Sequence, residues 1–232
     1  METSSFLEFV RLVVDGDVDE VSRRLGVDSA LAKMTSPRGA TRQEATEFFF
    51  TKISHYIYAG DTALHMAAAF SRPMTELLVS HGADCRARNR RGAEPIHYAS
   101  DGNRPEPEAQ AEVIEYLVLI GANPDAMDKS GVAPLHRAVR TRSLAAVRAL
   151  LDGGAKVRQP NKSGSTPLHL AVQTTGASGS GSDEARLQQA EIIQLLLVRG
   201  AKPTDKDSKG KTVEQAATSE WIREMLSEAN EG

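Results

Sequence analysis

The sequence predicts an all-α fold, a solenoid of helix-turn-helix units joined by β-hairpin loops. The first supporting observation is a recurring motif, in which a Gly and a helix-capping position precede Pro, an apolar residue and His. The second is a fixed interval between the Gly that ends one unit and the Gly that opens the next. The third is an apolar stripe on the segment that follows each motif.

The motif has four well-preserved copies and a degraded fifth copy near the end of the chain. Thr at the capping position accepts a helix N–H, and Pro suits the first helical turn. Because Glu94 and Ala133 replace Thr, we expect two capping hydroxyls to be lost, at about 1 kcal/mol each. The copies occupy 60–65, 92–97, 131–136, 164–169 and 210–215.

The spacing of the glycines separates a fixed connector from a variable interior. The later Gly of one unit lies ten residues before the next opening Gly in every case, whereas the opening and later Gly are 22 to 36 residues apart. Lengthening a surface loop costs little closure entropy, so the turn within a unit tolerates growth. Two insertions are expected there, around 100–107 and at 174–183, and the Gly/Ser-rich second one is expected to be a flexible loop.

Each motif leads into a second, amphipathic helix that ends at Gly. Leu144, Val147, Leu150 and Leu151 form one such stripe. Two short helices are not stable alone, so neighbouring units must cover their apolar faces.

The two ends of the chain are predicted to be capping helices around a single domain, 1–232. Residues 4–33 contain two apolar stripes broken at 15–17 and lack the motif, with Asp17 placed to cap the second helix. Residues 210–230 carry Trp221, Ile222, Met225 and Leu226 on one face of a helix that is otherwise polar.

Residues 34–59 fit no unit and are predicted to be an irregular, aromatic-rich insertion. A helix is expected over 42–50. Five of the chain's eleven Phe, Tyr and Trp residues fall between 48 and 58. Two interpretations remain open, a seal between the N-terminal cap and the first unit, or an exposed contact patch.

Composition narrows the functional classes. With 28 basic and 31 acidic residues, a nucleic-acid partner is disfavoured. The single cysteine, Cys85, allows no internal disulfide and fits a reducing compartment. The sequence shows no secretory signal and no apolar run of about 18–20 residues, so we expect a cytoplasmic protein without membrane contact.

The sequence predicts no catalysis, metal or cofactor. Helices pack about 8–10 Å apart, so the histidines of successive motifs cannot ligate one metal at about 2 Å. The segment 210–212 resembles the end of a phosphate-binding loop, but Asp205 stands where that loop requires Gly.

The motif Gly-x-Thr-Pro-Leu-His-x-Ala, with its apolar second helix and Gly-Ala at a period near 33, resembles the ankyrin repeat. The resemblance covers about 60–215, with four repeats over 60–209. It implies that the His joins a structural hydrogen-bond network. It also implies that a partner protein is bound by the hairpin tips and the exposed side of each first helix.

The first tip, 86–91, has four arginines in six residues, and further arginines flank the first helix of the middle repeat. Arg recognises carboxylate or phosphate bidentately, and Arg and Tyr are enriched at interface hot spots. We therefore expect a concave groove that binds an acidic protein segment. The candidate partner-binding residues are Arg86, Arg88, Arg90, Arg91, Tyr98, Arg137, Arg140 and Arg142.

Two alternatives to this groove stay open. The arginines form only solvated charges or local salt bridges with Asp101 or Asp128, or the basic groove binds a nucleic acid or a phosphorylated small ligand. A steep loss of affinity with salt would distinguish the last case. Because both ends are predicted to be capped, a monomer is expected.

Overall fold

A computed structural model describes residues 3–101, 107–173 and 182–231 of the chain. Within these ranges the regular secondary structure is helical except for one small antiparallel sheet and two isolated β-bridges, so the all-α expectation is confirmed. The helices are α1 (Thr3–Asp15), α2 (Val18–Val27), α3 (Ala63–Ala68), α4 (Arg72–Ser80), α5 (Pro95–Ala99), α6 (Pro107–Leu119), α7 (Pro134–Arg140), α8 (Leu144–Asp152), α9 (Pro167–Ala171), α10 (Asp183–Val198), α11 (Val213–Ala216) and α12 (Glu220–Glu231). The strands are β1 (Phe49–Phe50) and β2 (His55–Tyr56).

Each motif starts a short helix that packs against a following second helix. The pairs are α3 with α4, α5 with α6, α7 with α8, and α9 with α10, and the first helices also pack on one another in sequence order. The second helices α6 and α10 begin after the predicted insertions. Residues 102–106 and 174–181 of those insertions lie outside the described part, so the expectation of a flexible loop at 174–183 stays a prediction.

The buried apolar side chains form two clusters along the stack. One joins the N-terminal helices and residues 31–57 to α3 and α4, and the other runs from α5 to α12. Cys85 is half-buried and packs against both clusters. At the C-terminal end, Ile222 and Leu226 of α12 are fully buried, as the apolar face of that segment predicts.

The fixed length of the connectors has a hydrogen-bond explanation. An Asn or Asp lies near the end of each tip, and its side-chain oxygen accepts the backbone N–H groups two and four residues later. These residues are Asn89, Asp128, Asn161 and Asp207. Neighbouring tips are also tied together, because Lys129 N–H donates to Arg91 O at 2.8 Å and Ser208 N–H donates to Ser163 O at 3.0 Å. One residue more or less would break this register.

The motif histidines connect each repeat to the next. Their Nδ1 atoms accept the N–H of the capping residue, and their Nε2 atoms lie 3.1–3.3 Å from a carbonyl oxygen of the next motif. Ala133 has no side-chain acceptor, yet its own N–H still donates to His136 Nδ1 at 3.2 Å. Burial lowers the pKa of His136, and it lowers the pKa of His97 to about 4, so both rings are neutral near pH 7.

The N-terminal helices form as the sequence predicts, and Asp17 caps α2 by accepting the Glu20 N–H at 3.1 Å. The helix predicted over 42–50 is wrong. That segment contains one 3₁₀ turn at 46–48 and then β1, whose Phe49 and Phe50 pair with Tyr56 and His55 of β2.

The three consecutive phenylalanines explain this difference. Phe48 and Phe50 are buried while Phe49 is 38% exposed. Alternate residues share one face of a strand, whereas on a helix they diverge, so only extended chain buries both. The buried residues of the aromatic segment therefore confirm the seal, while a contact patch at its exposed residues stays a prediction. Phe48, Phe50 and Ile57 seal the join between the N-terminal helices and α3, and Phe49 and Tyr56 face solvent.

Candidate partner-binding groove

The four arginines of the first tip have different surroundings. Arg86 Nε donates to Gly121 O at 2.7 Å, and Arg88 donates to Glu94 at 2.9 Å and to Met127 O at 3.2 Å. These two side chains therefore tie the first connector to the next repeat. They have little freedom to rearrange around a partner.

Arg90 and Arg91 are exposed and lie between two adjoining surface openings. The Arg90 side chain makes no hydrogen bond or ion pair with any residue in the described ranges. The Arg91 guanidinium carbon stands 4.2 Å from the centre of the Tyr58 ring, in a cation–π contact. Both side chains line both openings.

The larger opening, of about 490 Å³, lies between the first two tips and α7, and we name it the arginine groove. Its lining consists of Arg90, Arg91, Asp101, Asp128, Lys129, Ser130, Val132, Arg137 and Arg140. Five cationic side chains thus face two carboxylates. The Lys129 ammonium, like Arg90, has no partner among the described residues.

The second opening, of about 470 Å³, is lined mainly by the 34–59 segment, and we name it the tyrosine compartment. Its lining consists of Ala40, Thr41, Arg42, Ala45, Tyr56, Tyr58, Arg90 and Arg91. It therefore carries three arginines and no carboxylate. The shared Arg90 and Arg91 make it continuous with the arginine groove.

Two of the predicted arginines form local salt bridges with Asp101 or Asp128, as the first alternative anticipates. Arg137 donates to Asp101 and to Asp128, both at 3.0 Å, and its side chain is only 11% exposed. Arg140 reaches Asp101 at 3.3 Å and stays 59% exposed. Burial opposes ionisation of Asp128, but hydrogen bonds from the Val132 N–H and Arg137 outweigh it and leave the Asp128 pKa below its usual value.

Tyr98 requires a correction, because it is 1% exposed and has no surface for a partner. Its hydroxyl donates to the buried carboxylate of Asp61, and the ring of His55 stacks on it with centroids 4.4 Å apart. Burial lowers the pKa of His55, so this ring covers Tyr98 in its neutral form near pH 7. The 34–59 segment thus seals α5 from solvent at this point.

Arg142 does not join the arginines of the groove, although it shares a separate small cleft with Arg140. It lies in the turn between α7 and α8 with a left-handed φ of 57°, and it lines neither the arginine groove nor the tyrosine compartment. It stands instead beside a small cleft of about 70 Å³ between α7, α9 and α10.

Among the lining residues that were not predicted site residues, four supply positive charge or an aromatic ring: Arg42, Tyr56, Tyr58 and Lys129. A signal for Lys129 was present, because it occupies the position in the second tip that Arg90 occupies in the first. The two tyrosines alternate along 55–58 with the buried Ile57, which places them on the opposite face of extended chain.

Comparison with known proteins agrees with this architecture. A family model for ankyrin repeats in three copies matches residues 107–207, and a model for a single ankyrin repeat matches residues 59–90. Together the two matches cover more than half of the chain. The chain belongs to the ankyrin repeat family. Members of this family are generic protein–protein interaction modules and are typically non-catalytic.

The chain is also similar to ankyrin repeat and SOCS box protein 6. It is 33% identical over 198 residues to that protein from Homo sapiens and from Pongo abelii, and 33% identical over 199 residues to that from Mus musculus. Each match covers 78% of this chain and 45% of the relative. The chain therefore spans less than half the length of these relatives.

Two general features complete the description of the site. In the described ranges, no group of three or more His, Cys, Asp or Glu side chains is arranged to hold a metal ion. No helix in these ranges is both long and apolar enough to cross a lipid bilayer.

Proposed function

We propose that this ankyrin repeat protein is a non-catalytic interaction scaffold that binds an acidic segment of a partner protein in the arginine groove. The observation that carries the proposal is the pair of unpartnered cations, Arg90 and Lys129, on successive tips of the same groove. Arg91 and the exposed Arg140 stand beside them. Carboxylates of a bound segment would complete ion pairs that the fold leaves open.

The other predicted arginines have a supporting part in this proposal. Arg137 pairs with both Asp101 and Asp128 at the wall of the groove and offsets part of their negative charge, so that they repel an acidic partner less. Arg86 and Arg88 fix the spacing between the two tips. The recognition surface is therefore smaller than the sequence alone predicts, and it is centred on Arg90.

The second candidate is a nucleic acid or a phosphorylated small ligand in the same groove. The unpartnered cations also suit phosphate, which keeps this candidate open to test. A long polyanion is disfavoured because the chain carries a net charge of −3 and lacks the basic excess that is usual for nucleic-acid-binding proteins. We also propose a monomer in the cytoplasm. The single cysteine, Cys85, can form no internal disulfide, which fits a reducing compartment.

The test uses a labelled glutamate-rich peptide, its glutamine counterpart and a single-stranded oligonucleotide of equal charge. Fluorescence anisotropy would compare wild type with Arg90→Glu/Lys129→Glu and with the control Arg148→Glu/Lys202→Glu, which reverses two exposed charges outside both compartments. We expect the acidic peptide to bind wild type and the control alike. The groove variant should bind at least tenfold more weakly.

Two results would contradict the proposal. One is that wild type and the groove variant bind the acidic peptide equally tightly, or that wild type does not bind it at all. The other is tighter binding of the oligonucleotide with a steep salt dependence, which would favour the nucleic-acid alternative.

A further inference from the structure

A continuous ladder of aromatic rings runs from the β1–β2 hairpin to the arginine groove. Phe49 and Tyr56 have ring centroids 4.7 Å apart, and Tyr56 and Tyr58 have centroids 6.4 Å apart. Arg91 then stacks on Tyr58 at 4.2 Å. The ladder therefore ends on a guanidinium that lines both compartments.

The tyrosine compartment combines free aromatic surface with free positive charge. Tyr56 is 37% exposed in its wall. Arg42 and Arg90 have no partner for their side chains among the described residues. Ala40, Thr41 and Ala45 are small and leave the space between them open. An aromatic ring placed here would make tilted ring contacts and a cation–π contact. Each of these contacts stabilises binding in addition to the hydrophobic contribution of the buried area.

We propose that the tyrosine compartment takes an aromatic side chain of the same acidic segment whose carboxylates lie in the arginine groove. This inference rests on the proposed function, because it assumes that the groove binds that segment. The two compartments share Arg90 and Arg91, so one extended stretch of chain passes from one to the other. Arg42 pairs with an acidic residue beside the aromatic one.

The proposal gives the 34–59 insertion a role in specificity. Its buried side, including Phe48 and Ile57, fixes the segment on the N-terminal helices and α3. Its other side presents Tyr56, Tyr58 and Arg42 to the partner. A segment with acidic residues alone would fill the arginine groove and leave the tyrosine compartment empty. The insertion therefore distinguishes aromatic-containing acidic segments from other acidic segments.

The test begins with display selection of random peptides against the full chain. Peptides of about twelve residues extend over roughly 40 Å, enough to cross both compartments. We expect enrichment of peptides with clustered Asp and Glu and an aromatic residue at one end of the cluster. Acidic enrichment without an aromatic residue would overturn this inference and leave the proposed function intact. Enrichment without acidic residues would contradict both.

Variants of the hairpin then locate the aromatic contact. Tyr56→Ala should weaken a selected aromatic-containing peptide about tenfold and leave its alanine-substituted counterpart unaffected. Tyr56→Phe should restore binding, since the ring remains. Tyr116→Ala, which removes a half-buried tyrosine of α6 outside both compartments, should bind nearly as wild type does. Equal losses in Tyr56→Ala and Tyr116→Ala, or no loss in Tyr56→Ala, would overturn the inference.

Discussion

The hydroxyl of Tyr98 donates its proton to the carboxylate of Asp61, whose two oxygens lie 2.7 and 2.8 Å from it in the buried join between α3 and α5. The same carboxylate accepts the Tyr58 N–H at 2.6 Å and the Asn89 amide at 2.8 Å. One buried charge thus links the insertion, the first helices of two repeats and the first tip. The geometry of the arginine groove depends on this junction, because Asn89 also shapes the turn that carries Arg90 and Arg91.

Removing the Tyr98 hydroxyl should destabilise the protein. Tyr98→Phe leaves the buried Asp61 carboxylate with fewer donors, and a hydrogen bond to a charged group contributes about 1.5–3 kcal/mol. Tyr116→Phe is the matched control, because Tyr116 is only half-buried and none of its described contacts uses the hydroxyl. Urea unfolding should show a loss of about 1.5–3 kcal/mol for Tyr98→Phe and little change for the control. Equal stability of the two variants would contradict the role of this junction.

The repeat frame was predictable because it depends on local rules. The motif, the glycine spacing and the apolar stripes each reflect a constraint within one unit or between adjacent units. The prediction that Tyr98 contacts a partner is wrong, because the sequence of a repeat does not determine whether another segment covers the position after the motif His. His55, which comes from outside the repeat frame, covers Tyr98. A signal was available, since Met66 and Leu170 at the same position are also apolar.

The arginines of the candidate site show the limit of prediction from composition. The sequence predicts that both Arg137 and Arg90 are exposed charges. In the structure Arg137 bridges two carboxylates, whereas the Arg90 side chain has no partner among the described residues. That difference depends on contacts across thirty or more residues, such as the one between Arg137 and Asp101. The insertion could be recognised as irregular, but its hairpin depends on packing against α1, α3 and α5 rather than on a repeated pattern.

The two arginines that contact Asp101 should differ in their contribution to stability. Arg137→Ala leaves Asp128 and Asp101 without their half-buried partner, and breaking such a pair typically costs about 3–5 kcal/mol. Because Asp101 is 22% exposed and keeps Arg140, we expect about 2–4 kcal/mol here. Arg140→Ala removes an exposed contact worth at most about 1 kcal/mol. The prediction would be contradicted if the free energies of unfolding of Arg137→Ala and Arg140→Ala differed by less than about 0.5 kcal/mol, which is the usual effect of a surface substitution.

Acidification should reveal the neutral, buried state of His97. Its pKa is lowered to about 4 by burial first and by the Arg137 charge second, whereas an unfolded His titrates near 6.5. Below pH 6.5 the unfolded chain therefore binds a proton that the folded chain does not. Above about pH 6.5, His97 therefore causes no loss in the free energy of unfolding. As the pH drops towards 4, the free energy of unfolding falls by on the order of 3 kcal/mol because of this residue.

The variant that isolates this effect is His97→Gln. Gln215 already shows that a glutamine can hold the capping N–H, since it accepts from Thr212 at 3.0 Å. His97→Gln loses the bond to Val132 O and should cost about 1 kcal/mol near pH 7. Because it cannot titrate, the wild-type advantage in free energy of unfolding should shrink below pH 6.5 and reverse, to a deficit of about 2 kcal/mol at pH 4. A gap that stays constant over this range would refute the assignment.

Two glycines should respond differently to alanine. Gly164 has a φ of +73°, and a Cβ there would collide with the backbone nitrogen of Ser208 on the next tip. Gly154 has a φ of +89° but open space around it. Gly154→Ala should cost about 1–2 kcal/mol from backbone strain alone. Gly164→Ala should cost at least 1 kcal/mol more, roughly one hydrogen bond, because it separates Ser208 N–H from Ser163 O. Equal shifts in the urea midpoint would show that the tips are not coupled.

The most direct test of the account is to map where an acidic peptide binds. At 25.0 kDa the chain suits backbone NMR, and a display-selected peptide can be titrated to saturation. The predicted result is that shift changes concentrate at 40–45, 56–58, 90–92 and 129–132 and disappear in Arg90→Glu/Lys129→Glu. Changes confined to the second helices α4, α8 and α10, or unaltered by that charge reversal, would contradict the central claim.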